Sequence, residues 1–291
     1  GDRRLLPRRS RGPGLAAGGR PLMLGASRSS LSELSDWLDG QRGAEGLAGL
    51  PAELFSVADL LDREKTLRTA LADSGQSADS RAALAASLLA SRVSPLALQV
   101  MQEAARHRWS SDEDLLLGIE SLADQAAFMV ADAAGDLDAT EDEIFRFGRA
   151  IDSSPDLQMA LTDPALSAQA KAGIVEDLLR DRSTATTRLV LGYAVGHLHG
   201  RRIDAVVDDL ADAAARQRQR IVAEVRVAQP LDADQERRLA EALSTLKGRR
   251  VRLNVAIDPA VLGGVLVTVG DEVIDGTVAS RLEQARRTML G

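Results

Sequence analysis

Residues 251–290 read VRLNVAIDPAVLGGVLVTVGDEVIDGTVASRLEQARRTML, and here a chain that has read as helix for two hundred residues changes period. Val251, Leu253, Val255 and Ile257 alternate with Arg252, Asn254 and Ala256, the period of two expected of a half-buried strand. Asp258-Pro259 ends that strand. Val265-Leu266-Val267-Thr268-Val269 and Glu272-Val273-Ile274 are two further β-rich runs, joined by Gly270-Asp271, a pair suited to a tight hairpin. Asp275-Gly276-Thr277 then breaks the sheet and opens a helix, because a Thr hydroxyl can accept from the first unpaired amides of a helix. On that predicted helix Val278, Leu282, Ala285 and Met289 share one face.

Working backwards, Ile221, Ala223, Val225 and Val227 alternate as an earlier strand, Pro230 stops it, and Asp232 opens a helix through Leu239, Leu243 and Leu246. The last seventy residues are thus strand, helix, strand, hairpin, helix: a small α/β domain at 221–291. This order of punctuated elements resembles the C-terminal signature of the delta subunit of F-type ATP synthases, the oligomycin-sensitivity-conferring protein family. The signature stands here as Asp258-Pro259, Gly263-Gly264, Gly270-Asp271, Asp275-Gly276 and Arg281-Leu282, with Thr277 where the family usually has Ser. The glycines do not form a nucleotide loop. Gly263-Gly264 and Gly270 are not spaced as GxGxxG, and they precede a strand where a dinucleotide site needs a helix. Relief of backbone constraint is the simpler role for each: a bulge, a turn, a positive-φ step.

From residue 24 to about 220 nearly everything reads as helix. A first helix runs from Ser30-Leu31 to Leu38 and is followed by a glycine-rich loop over 40–49. Further helices start near Ala52, Ser80, Pro95 and Ser111, and a long one covers Asp204 to Arg220, each with apolar residues at i, i+3 or i+4. This stretch repeats itself. A shift of 90 sets Glu53 on Glu143, Phe55 on Phe145, Asp73 on Asp163, Leu88-Leu89 on Leu178-Leu179 and His107 on His197, with 16 identities over the 55 positions 53–107. A shift of 88 continues it, placing Leu122-Ala123-Asp124 on Leu210-Ala211-Asp212. The expectation is a mainly α chain: two tandem helical bundles, 24–130 and 136–216, followed by the α/β domain.

Composition narrows the function. With 45% hydrophobic and only 2% aromatic residues in 291, the core must be built of Leu, Ala and Val. No cysteine is present, so disulfides, thiolate catalysis and Cys-held zinc are excluded. Residues 1–22 hold six Arg against Asp2, a local +5 that leaves −12 on the remainder of a chain of net charge −7. A body that acidic argues against a nucleic-acid partner. The leader itself is rich in Arg, Gly and Pro without helical period, reads as disordered, and is set aside as a non-native or over-extended start with the native protein beginning near Met23. The longest uncharged run, Leu189 to Gly200, is twelve residues, too short to cross a bilayer.

Catalytic constellations are not found. The three histidines are His107, His197 and His199. On a helix the last two would point apart, and the first and second, as repeat equivalents, each serve their own bundle. Neither HExxH nor GxSxG nor a P-loop occurs. Asp112-Glu113-Asp114 and Glu141-Asp142-Glu143 lie where helices begin, where the dipole favours them. Arg216, Arg218 and Arg220 sit near a helix end, again as the dipole favours. No catalytic residue, metal or cofactor is expected, and what remains is surface: grooves between helices that accept a partner's amphipathic helix.

The resemblance implies more. A helical domain precedes the signature in that family, though once rather than twice. Family membership implies a non-catalytic stator subunit at the cytoplasmic face of the cell membrane, a peripheral protein that reaches the membrane only through its complex. The bundle would hold the N-terminal helix of an alpha subunit, and the C-terminal domain would grip a separate b subunit of the peripheral stalk. The alternative left open is a helical adaptor of another multi-subunit complex.

Overall fold

The computed structural model describes residues 23, 25–219, 221–247, 251–258, 261, 264–269 and 272–275. Among these are eleven helices in succession, then a mixed sheet with one further helix. The helices are α1 (Ala26–Asp39), α2 (Leu50–Arg63), α3 (Lys65–Ala72), α4 (Ala78–Leu89), α5 (Pro95–Arg106), α6 (Asp112–Ala134), α7 (Leu137–Ser153), α8 (Pro155–Thr162), α9 (Ala168–Leu179), α10 (Ala185–Gly196) and α11 (Ile203–Gln219). The sheet unit is β1 (Ile221–Val227), α12 (Ala233–Lys247), β2 (Val251–Ile257), β3 (Val265–Val269) and β4 (Glu272–Asp275).

Capping side chains place most of the helix starts. Ser77 accepts from the Ser80 amide at 3.1 Å, Ser94 from Ala97 at 3.2 Å and Ser111 from Asp114 at 3.1 Å. Ninety residues later Ser167 accepts from Ala170 at 3.2 Å and Thr184 from Thr187 at 3.1 Å. Each satisfies an amide that has no partner in the first turn. The same shift relates α4 to α9 and α5 to α10 end for end. Glu53 accepts from the Ser94 hydroxyl at 2.6 Å and its amide at 3.2 Å, and Glu143 repeats this with Thr184 at 3.1 and 2.8 Å. Glu143 is therefore one turn and more inside α7, where it ties α7 to the start of α10, rather than at a helix start. The helix expected near Ala52 begins at Leu50, and it breaks at Glu64, whose ψ of 73° is not helical. The sequence reading had not separated α3 from α2.

One hydrophobic core runs from Leu34 to Ala214 without interruption. The reason is α6. It packs against α1, α2, α3 and α5 on one side and against α7, α10 and α11 on the other. Its sequence is apolar nearly all round, with Leu115–Glu120, Leu122–Asp124 and Ala126–Met129 all buried, the pattern of a helix enclosed on every side. Packing partners then follow the repeat: α1 lies on α6 and α5 as α6 lies on α11 and α10. So α6 closes the first six-helix copy and opens the second. The junction shows it atom by atom, since residues exactly one repeat apart touch between α6 and α1 with the turn that follows it. The Ser35 hydroxyl donates to Gln125 at 2.6 Å, and Arg42 pairs with Asp132 at 2.7 Å.

The sheet has strand order β2-β1-β3-β4. β1 and β2 are parallel, connected through α12, and β3 and β4 are antiparallel additions. Asp232 caps α12 reciprocally: it accepts from the Gln235 amide at 2.8 Å while the Gln235 side chain accepts from the Asp232 amide at 2.9 Å, a capping box. Ala223, Val225 and Val227 alternate inward and meet Val267 and Val269 of β3 and Val251 of β2 in a second core, with Leu243 of α12 over it. The two cores share no residue.

Candidate partner-docking site

The C-terminal signature is described in part. Asp258 follows β2, donates its amide to the Val227 carbonyl at 2.9 Å and accepts from the Val261 amide at 3.0 Å. Its carboxylate lies 3.9 Å from the Arg226 guanidinium. The segment thereby folds back over the end of β1. Gly264 has φ +86° immediately before β3, a backbone that a Cβ would strain. Asp275 is the last residue of β4, opposite Leu266. The β3–β4 register pairs Val269 with Glu272, which leaves only residues 270 and 271 to connect them. Pro259, Gly263, Gly270, Asp271, Gly276, Arg281 and Leu282, and the helix expected after Thr277, lie outside the described residues. The signature thus brings Asp258, Gly264 and Asp275 to β-strand ends of one small sheet.

A second arrangement lies in the helical body, and it corrects the reading of the histidines. α10 ends at Gly196, so His197 and His199 lie in the loop before α11 and are not held apart by a helix; their rings are 6.2 Å apart. Phe55 of α2 stacks on Tyr193 of α10 at 4.2 Å, and Tyr193 stacks on His197 at 4.0 Å. His197 Nδ1 donates to the Tyr193 carbonyl at 2.9 Å, and its Nε2 faces Asp59 of α2 at 3.4 Å. His197 therefore reaches the other copy, whereas its equivalent His107 faces Glu33 at 3.6 Å within the first. Beneath the rings, Glu120 of α6 is 4% exposed and accepts from Tyr193 at 3.0 Å and from His199 Nε2 at 2.7 Å. That carboxylate bond, opposed by burial, holds the His199 pKa above its ordinary 6.5. Burial first, and Glu120 after it, push the Tyr193 phenol far above its usual range, so it remains a donor. His199 sits at φ +47°, the one non-glycine residue at positive φ among those described, and the Glu120 bond offsets that strain.

This cluster has no nucleophile beside a base, and no group of three potential metal ligands is found among the described residues. What it does chemically is to seal a seam. The stacked rings and the shared carboxylate fasten the loop α10–α11 to α2 and α6. Sequence reading paired Phe55 with Phe145 but missed that they part company: Phe55 is 5% exposed and Phe145 59%. Met159 of α8 is exposed as well, and the sheet unit exposes Leu246, Ile257 and Val273. Large apolar side chains in water are the features that partner surfaces use.

Comparison with known proteins agrees with the sheet signature. Residues 124–289 match the family described as ATP synthase delta (OSCP) subunit. A match that begins at Asp124 starts inside α6, the helix that opens the second copy. ATP synthase subunit delta of Streptomyces avermitilis is 43% identical over 267 residues, covering 91% of this chain and 98% of that protein. The same subunit of Parafrankia sp. is 43% identical over 275 residues, 91% and 99% of the two, and that of Rhodococcus opacus 37% over 274 residues, 92% and 99%. A chain in the structure of the Toxoplasma gondii mitochondrial ATP synthase hexamer is 24% identical, covering 58% of this chain and 95% of that one at a TM-score of 0.27, too low to carry an argument about fold. On the family match and the near full-length relatives, the chain belongs to the ATP synthase delta (OSCP) subunit family.

Proposed function

We propose that this chain works as a stator linker, with no active site of its own: the helical body engages the catalytic head and the sheet unit engages the peripheral stalk. The observation that carries the reading is the pair of cores that share no residue. Two independently packed bodies on one chain can hold two partners and pass load between them. On the head side the partner is the N-terminal helix of an alpha subunit, which would lie in a groove between helices of the body. On the stalk side it is the b subunit, with Ile257 and Val273 as exposed apolar contacts. No described helix is long and apolar enough to cross a membrane. In this reading b is what holds the chain at the cytoplasmic face of the cell membrane.

Torque transmission needs a body that does not hinge. α6 supplies this, for its 23 residues extend about 34 Å at 1.5 Å per residue, and its middle, from Leu115 to Ala131, is largely buried. Counter-torque on the head is thereby passed along one continuous helix rather than through a flexible connection. The test is recovery of partners by the full chain from detergent-solubilised bacterial membranes, read by mass spectrometry. Alpha, beta and b subunits in stoichiometric amount are expected, and recovery of a different stoichiometric complex in their place would overturn the reading.

A further inference from the structure

Phe55 of α2 is covered where the two copies join. The end of α10 lies on it: Tyr193 stacks on the ring at 4.2 Å, and His197, four residues on, faces Asp59 at 3.4 Å. A shift of 90 turns Phe55 into Phe145 and Asp59 into Arg149, again four residues apart on one face of a helix, now α7. The two helices are set alike in their bundles, since α2 packs on α6 as α7 packs on α11. Glu53 and Glu143 also make the same bond to a capping hydroxyl. Yet Phe145 is 59% exposed where Phe55 is 5%.

Arg146 and Arg149 beside it are exposed, and neither makes an ion pair among the described residues. Aromatic and arginine side chains are the types that anchor protein interfaces. Asp152 repeats Asp62, and of the charged positions on the two faces only 59 and 149 reverse sign. The cover that suits Phe145 therefore keeps the aromatic ring of the internal joint and replaces its histidine by an acid. We propose that α7 is a docking face for a helix of a partner protein that ends as α10 ends, with an aromatic ring to stack on Phe145 and, four residues on, a carboxylate to meet Arg149. This proposal does not rest on the stator reading.

The probe is the end of α10 itself: a fluorescent peptide of residues 185–201 carrying His197→Glu, titrated against the full chain and read by anisotropy. Saturable binding is expected. Phe145→Ala removes an exposed ring and is expected to weaken binding about tenfold or more. Arg149→Glu sets like charges together and is expected to weaken it about tenfold, while the His197→Lys peptide is expected to recover binding to that variant. The proposal is overturned if the peptide does not bind, if Phe145→Ala binds it as the parent chain does, or if the charge swap recovers nothing. Sedimentation of the chain alone tests the other occupant: a dimer that Phe145→Ala abolishes would make the face a self-contact and overturn the partner-helix assignment.

Discussion

The first helical copy closes with a buried arginine, and the second closes with a tyrosine and two histidines that reach into its neighbour. In the first, Arg81 of α4 is 3% exposed and uses its guanidinium donors on five backbone carbonyls: Ala105 at 2.7 Å, Arg106 at 2.8 Å, His107 at 3.1 Å, Gln76 at 2.7 Å and Asp73 at 3.3 Å. Three of these belong to the end of α5, where carbonyls lack helical partners and the dipole is negative. One side chain thereby ties α4, α5 and the loop after α3 together. The equivalent residue in the second copy is Lys171, also buried at 8% exposed, but an ammonium cannot serve five acceptors in one plane. There the α10 end is secured by Tyr193, His197 and His199 instead. Duplicated sequence therefore kept the helices and exchanged the means of closing them, and the exchange follows position: the second copy has a neighbour to close upon.

Breaking the two closures should separate them. Arg81→Met is expected to cost about 4 kcal/mol, since each buried carbonyl left unpaired costs about 1–3 kcal/mol. Lys171→Met is expected to cost under about 1 kcal/mol, because it orphans no such set. Urea midpoints of the two variants check this, and equal losses would mean that the copies close alike. The stacked seam comes next. Phe55→Ala is expected to destabilise by about 3 kcal/mol, as for other buried aromatics, while Phe145→Ala changes stability by less than about 0.5 kcal/mol. A large loss on Phe145→Ala in the isolated chain would show that the second copy also seats its phenylalanine.

Caps sharpen the comparison from the side of sameness. Ser77→Ala and Ser167→Ala remove equivalent hydroxyls, and each is expected to cost about 1 kcal/mol; a twofold or greater difference between them would mark unequal cooperativity of the copies. The smallest expected effect is in pH. His199 has its folded pKa raised by the Glu120 bond, so the stability it contributes is complete below 6.5, its unfolded value, and is lost as pH rises through the folded value. Urea midpoints measured across that interval should therefore fall with rising pH, and Glu120→Gln should flatten the fall. A slope that survives Glu120→Gln would assign it to another group.

Much of this was legible in the sequence, for identifiable reasons. Strands β1 and β2 were readable because Val225 and Val255 alternate with residues of the opposite face, and a sheet with one covered side enforces that period; β3 and β4 were readable as β-rich runs on either side of Gly270-Asp271. The starts of α5, α6 and α12 were readable to within one residue because Ser94, Ser111 and Asp232 cap by local geometry, whereas α1, expected from Ser30, begins four residues earlier at Ala26, which follows a glycine with no capping side chain. The repeat was readable through Phe, His and Glu, and Glu53 with Glu143 proved to make the same bond to a capping hydroxyl. What stayed hidden depended on residues far apart in the chain. Periodicity marks which face of a helix is apolar but not which neighbour covers it, so nothing near Phe55 foretold Tyr193, 138 positions on. The histidines were misread because both were placed on a helix, when α10 ends at Gly196 and the turn after it lets His199 reach Glu120 while His197 stacks on Tyr193.

The helix α6 has a further consequence, in the arithmetic of how such a chain grows. If each copy carried six helices of its own, a duplication would add six and create a new interface that both copies had to evolve. Because the closing helix of one copy is the opening helix of the next, the unit actually added is five helices and about ninety residues, and the new unit docks on a face that the old one already used internally. An array built this way extends by repetition of a single joint, as stacked-repeat proteins do, and its length can change without an unfamiliar surface ever having to be covered.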